Sequence, residues 1–362
     1  MTNREAQIFQ WITENPMISQ EELAAKAGIA RSSAAVHISN LMKKGYILGK
    51  GYVTNGPSYC TVVGGANIDI GGIPEDVLVE EDSNSGRMIR SLGGVGRNIA
   101  HNLRLLGIDV KLITAIGSDT NARRIIESCE DLGIDITDSL KTAKADTATY
   151  LYITDEKGSM KLAVSDTSIY ENLTAKYIAS KMEQLNRARL VVLDTNIPAQ
   201  TIEHICENCK APVFASSVST KKAERLLPVL DKLTAVVASK AEAEVLSGGI
   251  HITDKESLER VADIILESGV KNVFIDMENK GVYYACDEEQ LMMSGMDGEI
   301  LNWNGAKDAF MSGVIFGFMK HLSVRQMAKI GLAVQSVAVE GTEAINSQLC
   351  IPTVAERAKI EL

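Results

Sequence analysis

The chain has 362 residues, of which 45% are hydrophobic and 23% charged, the composition of an ordinary globular protein with a sizeable core. A formal net charge of −10 excludes a protein that coats nucleic acid over its whole surface. The first ten residues are polar and charged, and no apolar run approaches the roughly 18 residues that a membrane span needs. We therefore expect a soluble, cytoplasmic protein without a membrane partner.

The charge is distributed unevenly along the chain. Residues 1–55 carry six Lys or Arg against four Asp or Glu, a net charge of +2 that leaves −12 for the remainder. The stretch "NGPSY" at 55–59 then has the composition of a hinge. We predict two domains with different partners, one over 1–55 and one over 60–362.

Short amphipathic helices are predicted in the amino-terminal part. In the first helix, Ile8 and Ile12 share one face. The second begins at Ser19, which can form a capping box with Glu22, and ends at Gly28. A glycine turn between two such helices is typical of a helix-turn-helix unit.

The third helix, in "RSSAAVHISNLMKKG", is predicted to begin at Ser32 or Ser33. Its expected inward-facing residues are Val36, Ile38, Leu41 and Met42. With the basic hairpin predicted after it, the unit resembles the winged-helix domains of bacterial transcription regulators. The resemblance implies DNA contacts from Arg31, Ser32, Ser33 and His37 on this helix and from Lys50 on the wing. The alternative is a helical appendage used for dimerisation or packing.

Alternating strand and helix patterns fill the larger part. The first strand, in "CTVVGGANIDIGG", ends in two glycines and is followed by Asn67 and Asp69, as in a buried parallel strand with polar groups at its carboxyl end. The pattern predicts a parallel sheet covered by helices on both faces. Cys206 and Cys209 have C-x-x-C spacing but no second pair, so we expect reduced, structural thiols.

Two helix starts attract attention. In "GGVGRN", Gly93 and Gly94 precede a helix and would let a ligand approach the backbone, with Asn98 offering a donor and an acceptor; packing glycines are the alternative. In "NGAKDAF", small residues precede Asp308 and an apolar helix, as at an anion site. The alternative for Asp308 is an ordinary first-turn acid that complements the helix dipole.

Taken in order, these motifs resemble the ribokinase-like (PfkB) sugar kinase family, and the "GGVGRN" helix start and the tyrosine-bearing lid segment are most similar to pseudouridine kinases. The resemblance covers residues 60–362. It implies a three-layer α/β sandwich with a small β lid from around 70–92 and 145–165, and a homodimer. ATP and Mg²⁺ are the implied cofactors, and the implied reaction phosphorylates the primary hydroxyl of a sugar or nucleoside.

The resemblance also implies roles for individual residues. Asp308 would be the catalytic base, and Gly305, Ala306 and Lys307 would form the anion hole. The implied substrate-binding residues are Asn67, Asp69, Gly93, Gly94, Asn98 and Asp166. Glu242 would hold hydrated Mg²⁺ indirectly, beside Ser239 on the nucleotide side.

The nucleotide side departs from the family pattern. Lys307 replaces the last glycine of the anion loop, Ser239 replaces an asparagine, and Asp276 and Glu278 stand where a glycine-bearing turn is usual. Lys307 would either supply charge to the phosphates or occupy the position of one. Two hypotheses follow: an active kinase, or a sugar- or nucleoside-sensing transcription regulator with weakened catalysis.

Overall fold

The structure is a computed structural model that describes residues 1–49, 59–296 and 298–361. The chain divides into two compact units, a small amino-terminal one and a large one that begins at Tyr59. Among the described helices, none combines the length and apolarity that crossing a membrane requires.

The amino-terminal unit contains three helices around a small apolar core. They are α1 (Asn3–Glu14), α2 (Gln20–Ala27) and α3 (Arg31–Lys43). Ser19 and Glu22 form the predicted capping box, and Gly28 ends α2 in the left-handed region at φ 63°. The core consists of Ile8, Ile12, Ile18, Leu23, Ile38, Leu41 and Ile47.

Two expectations for α3 are wrong. The helix begins at Arg31 after Ala30, without a side-chain cap, so neither serine is the cap. Val36 and Met42 are exposed by 58% and 45% rather than turned inward. The buried residues of α3 are Ala34, Ile38 and Leu41, at helical spacings of four and three, and this single stripe is enough to cover so small a core.

The large unit is built on an eight-stranded sheet flanked by helices. The strands of the unit are β1 (Tyr59–Val63), β2 (Asn67–Pro74), β3 (Gly86–Gly93), β4 (Asp109–Ile113), β5 (Ala115–Ile116), β6 (Leu140–Lys141), β7 (Thr149–Thr154), β8 (Met160–Asp166), β9 (Leu190–Asp194), β10 (Val213–Ser216), β11 (Ala235–Ser239), β12 (Asn272–Asp276), β13 (Val282–Cys286) and β14 (Gln290–Met293). The strand order of the eight-stranded sheet is β14-β13-β12-β11-β10-β9-β1-β4, and only its pairs β12–β13 and β13–β14 are antiparallel.

Helices cover both faces of this sheet. They are α4 (Val95–Leu105), α5 (Thr120–Asp131), α6 (Ala175–Ala179), α7 (Met182–Arg187), α8 (Ala199–Asn208), α9 (Thr220–Ala223), α10 (Lys240–Leu246), α11 (Lys255–Glu267), α12 (Ala306–Met319), α13 (Val324–Val339) and α14 (Ile351–Ala358). Alternate strand residues face opposite layers: Val62 and Val192 pack with α4, α12 and α13, whereas Val63 and Val191 pack with α8 and α11. This arrangement confirms the predicted three-layer sandwich.

The lid is a separate four-stranded sheet in the order β3-β2-β7-β8. Register pairs Asp69 with Ser91 on one side and Tyr150 on the other, so these three side chains share one face. The opposite face carries Met88 and Leu162, which are exposed by 62% and 56%. The predicted lid is therefore present, and its two faces differ in chemistry.

Candidate active site

The turn after β1 is held by a buried carboxylate. Asp194, at the end of the neighbouring β9, accepts hydrogen bonds from the N–H groups of Gly65 (2.7 Å) and Asn196 (2.8 Å). A β-carbon at Gly64 would lie 2.2 Å from Asp194 Oδ2, so only glycine fits there. Burial raises the pKa of Asp194, and a hydrogen bond from Gly96 N–H joins the two others in opposing that rise. Asp194 thus ties the first turn to the start of α4.

Asp69 presents a carboxylate at the base of the lid. Its Oδ1 accepts a 2.6 Å hydrogen bond from Asn67 Nδ2. A β-carbon at Gly93 would lie 2.3 Å from Asp69 Oδ2, so the glycine makes room for this carboxylate. Burial raises the pKa of Asp69 to about 6, against the Asn67 hydrogen bond and the Arg97 charge. A carboxylate held in this way is suited to accept hydrogen bonds from ligand hydroxyls.

Asn98 and Asp308 join two helix starts that are 210 residues apart in sequence. Gly94 caps α4 at φ 99°, and a β-carbon there would collide with Gly65 O at 2.5 Å. Asn98 Nδ2 then donates a 2.9 Å hydrogen bond to Asp308 Oδ2, at the start of α12. The buried Asn98 Oδ1 has no partner among the described residues and remains an acceptor for a ligand hydroxyl.

Asp308 is 5% exposed and lies in the first turn of α12. Burial raises its pKa to about 7; the Asn98 hydrogen bond and the Lys307 charge oppose the rise, whereas the charges of Asp194 and Glu242 add to it. A carboxyl group with a pKa near neutrality can take up a proton and release it again, as a general base must.

The same pKa predicts a pH-dependent stability. Between pH values of about 4 and 7, the unfolded chain releases the Asp308 proton while the folded chain keeps it, so stability falls as pH rises and levels off above the folded pKa. Between pH 5 and pH 8, the free energy of unfolding of wild type should fall by up to about 3 kcal/mol through this group. Asp308→Asn should not show this fall, because its amide does not titrate. Urea denaturation at four pH values measures this. Asp166→Asn, at an exposed carboxylate, is the control; parallel curves for wild type and Asp308→Asn would contradict the prediction.

The start of α12 offers backbone donors. Gly305 takes φ 78°, where a β-carbon would meet Ala344 O at 2.4 Å. Within the described part of the chain, the N–H groups of Gly305, Lys307 and Asp308 have no acceptor, whereas Ala306 N–H donates to Trp303 O at 3.2 Å. Two of the three predicted donors, Gly305 and Lys307, are therefore free, and Asp308 takes the place of Ala306 as the third. Together with the helix dipole, they suit an anion.

The Lys307 side chain lies on Glu242. Its Nζ donates to Glu242 Oε1 (2.8 Å) and Oε2 (2.6 Å), and to the carbonyl oxygen of Ser217. Glu242 Oε2 also accepts from Ser217 Oγ (2.7 Å) and Ser239 N–H (2.8 Å). Ser239 is the cap of α10, which explains its position without a nucleotide contact. Because its oxygens are already engaged by these donors, Glu242 does not fit the magnesium role implied by the family resemblance.

The two acids expected to disturb the nucleotide side lie in different environments. Asp276 is buried, accepts hydrogen bonds from Glu278 N–H (2.9 Å) and Gln335 Nε2 (3.2 Å), and has a pKa raised by burial. It is 5% exposed and lines a cavity together with Lys280. Glu278 is exposed, with φ 57°, and lines a small cavity together with Trp303. Of the two acids, the exposed Glu278 is therefore the better placed to repel a nucleotide.

Asp166 does not join the site. It pairs with Thr149, which shares a lid face with Ile68 rather than with Asp69. Its exposed carboxylate accepts hydrogen bonds from the N–H (3.3 Å) and hydroxyl (2.8 Å) of Ser168. The structure therefore gives Asp166 a local turn-forming role.

Three residues near the site had no role assigned to them from the sequence. Asp194 was hidden in the strand motif "VVLDTNIP", where an acid after an apolar run was the available signal. Tyr150 and Tyr152 share the Asp69 face of the lid, with ring centroids 6.0 Å apart. Their alternation in a predicted lid strand could have indicated a common face.

The predicted DNA-contacting residues of α3 are at its surface. Arg31, Ser32 and Ser33 are exposed and His37 is half-buried. Lys50, the predicted wing contact, lies outside the described residues. The exposed Val36, one turn after Ser32, adds an apolar group that sequence reasoning had placed in the core.

The eight-stranded sheet with its separate lid is a ribokinase-like α/β fold, and it follows a winged helix-turn-helix unit in the sequence. The chain belongs to the pfkB family of carbohydrate kinases, whose model matches residues 57–350. A winged helix-turn-helix DNA-binding model matches residues 5–47.

Individual relatives agree with this assignment. The chain is 33% identical over 340 residues to the Escherichia coli (strain K12) protein named "Uncharacterized sugar kinase YeiI". The alignment covers 93% of this chain and 94% of that protein. It is 30% identical to the pseudouridine kinase of the same strain, over 82% and 95% of the two chains. The ribokinase of Thermotoga maritima has the same fold, with a TM-score of 0.74, 21% identity, and coverage of 83% and 99%.

Proposed function

We propose that the chain transfers the γ-phosphoryl group of ATP to the primary hydroxyl of a nucleoside or sugar, with a pseudouridine-like nucleoside as the substrate. The observation that carries this proposal is the hydrogen bond between Asn98 and Asp308 beside the free N–H donors of α12. A base with a pKa near 7 and an anion-binding helix start are the two parts that phosphoryl transfer needs.

In this mechanism, Asp69 and Asn98 Oδ1 hold ligand hydroxyls and so fix the position of the primary hydroxyl. Asp308 accepts the proton of that hydroxyl as its oxygen bonds to the γ-phosphorus. The bond between the γ-phosphorus and the bridging oxygen breaks, and ADP leaves. The N–H groups of Gly305 and Lys307 stabilise the charge on the transferring group.

The lid supports a nucleoside over a free sugar. Tyr150 and Tyr152 lie on the Asp69 face, and Tyr152 packs across Gly71, where a β-carbon would be 2.6 Å from the ring. Burial and the nearby Asp69 charge raise the pKa of both phenols, which keeps them neutral. Half-buried aromatic rings beside a hydroxyl-binding carboxylate suit a planar base attached to a ribose-like ring.

Magnesium enters this proposal as part of the Mg·ATP substrate, where it neutralises phosphate charge. The chain's own acid at this position, Glu242, is engaged by Lys307. That ion pair also favours a second candidate function, a nucleoside-binding regulator with weak catalysis, because Lys307 could hinder the arrival of the γ-phosphate.

An assay of ADP release separates the two functions. Purified protein receives Mg·ATP and a panel of pentoses and nucleosides, and the melting temperature is measured with the same panel. Turnover that depends on Asp308 supports the kinase. A ligand that stabilises the protein without turnover supports the regulator and overturns the kinase.

The amino-terminal unit is proposed to bind DNA through α3. Arg31 is exposed, and its one ion pair among the described residues is a long contact with exposed Glu21 (3.6 Å), so it is available to a phosphate. We expect Arg31→Ala to weaken binding to promoter fragments about tenfold and to lower the salt dependence by about one phosphate contact. Fluorescence anisotropy at several salt concentrations measures both. Arg4→Ala, on α1, is the control, and equal losses for the two variants would contradict a role for α3.

A homodimer through the lid is also proposed. Met88, Leu162 and Val164 form an exposed apolar patch on the lid face opposite Asp69. Such a patch is best covered by a second copy. Sedimentation of wild type and of Leu162→Glu tests this, and identical monomeric profiles would contradict it.

A further inference from the structure

Lys307 occupies an unusual place at the start of α12. It is the second residue of the helix, adjacent to Asp308, yet its side chain turns away to Glu242. The Lys307 side chain is 19% exposed and that of Glu242 is 5% exposed. A largely buried charge is stable only when it is paired and hydrogen-bonded, and here each charge satisfies the other.

Neither oxygen of the Glu242 carboxylate is free of a donor. Both oxygens accept from the Lys307 ammonium, and Oε2 also accepts from Ser217 Oγ and Ser239 N–H. A hydrated divalent cation would have to displace the ammonium and leave a buried lysine unpaired. Among the described residues, no group of three or more His, Cys, Asp or Glu side chains could hold a metal instead.

We infer that the Lys307 ammonium is a resident cation that takes the place of a protein-held divalent ion at the phosphate end of the site. Its backbone N–H is one of the free donors of α12, and its ammonium charge acts on Asp308 in the same helix turn. The divalent ion of the reaction is then only the one that arrives on the nucleotide. This inference rests on the proposed phosphoryl transfer, because that reaction supplies the phosphate. Its test by metal binding does not require turnover.

Binding of Mn²⁺ to the nucleotide-free protein, followed by electron paramagnetic resonance, tests the inference directly. Wild type should bind no Mn²⁺ through Glu242. Lys307→Ala frees the carboxylate and should gain one site at least tenfold tighter than any in wild type, and Lys307→Ala combined with Glu242→Gln should lose it. Lys307→Met, which keeps the apolar stem without the charge, repeats the measurement if Lys307→Ala folds poorly.

Lys240→Ala is the matched control, because Lys240 is exposed and lies on the same helix as Glu242. It should leave Mn²⁺ binding as in wild type. A wild-type site that Glu242→Gln removes, or lysine variants that fold and gain no site, would overturn the inference.

A second measurement uses turnover. The wild-type rate should stop rising once all ATP carries Mg²⁺, whereas Lys307→Ala should need free Mg²⁺ in excess of ATP to reach its maximal rate. Equal magnesium dependence of the two proteins would overturn the inference. If wild type shows no turnover at all, the proposed kinase activity fails, and the Mn²⁺ measurement still decides the role of Lys307.

Discussion

Asp308→Asn should lower turnover by about 10²–10⁴-fold, with little change in substrate affinity. The new amide oxygen can still accept the hydrogen bond from Asn98, so the geometry of the two helix starts is kept. What is lost is the group that takes the hydroxyl proton. ADP release under saturating nucleoside and Mg·ATP measures the rate, and ligand-induced stabilisation measures binding.

The wild-type pH profile supplies an independent check on Asp308. Because burial raises its pKa to about 7, turnover should rise with pH and level off above neutrality as the carboxylate becomes ionised. A variant that keeps substantial turnover, or a wild-type rate that is flat between pH 5 and 8, would contradict the assignment of Asp308 as base.

Asp69→Asn should weaken nucleoside binding by about 10–100-fold, the equivalent of a lost hydrogen bond to a charged acceptor. Asn67 already engages one carboxylate oxygen and Gly93 makes room for the other, so the second oxygen is left to accept from a ligand hydroxyl in the proposed site. An amide at this position keeps an oxygen for Asn67 but places a donor group where the ligand hydroxyls need an acceptor. Calorimetry with the best nucleoside of the panel measures the affinity.

Asp166→Asn is the matched control for Asp69→Asn, since both acids belong to the lid but lie on opposite faces. It should leave affinity unchanged. If Asp166→Asn weakens binding and Asp69→Asn does not, the ligand lies on the other face of the lid and the proposed site is wrong.

Much of the fold could be predicted because it follows local rules. A parallel sheet is indicated by the order of features in the first motif: an apolar strand, two glycines that end it, and then the polar Asn67 and Asp69. The lid was also predicted at about the right place, around β2, β3, β7 and β8. The third helix was less well predicted, and Val36 was assigned to the wrong face. The spacing of apolar residues does not show how wide an apolar face a helix needs to cover a small core.

The site was predicted only as far as each motif extends. Asn98 and Asp308 were each assigned from their own helix starts, and the structure adds the hydrogen bond that joins them. The partner of Lys307 could not be predicted, because a flexible side chain has several possible partners and Glu242 lies 65 residues away. Asp194 was missed for a similar reason: two of its backbone partners, Gly65 and Gly96, belong to a turn and a helix start that are distant in sequence.

The proposed reaction makes a phosphate ester, and its products can be identified directly. Purified protein is incubated with Mg·ATP and pseudouridine, and the products are separated and identified by mass spectrometry. We expect ADP and a nucleoside 5′-monophosphate in equal amounts from wild type, and about 10²–10⁴-fold slower formation of both from Asp308→Asn. A nucleoside that raises the melting temperature of wild type but is recovered unchanged, across the full panel, would contradict it.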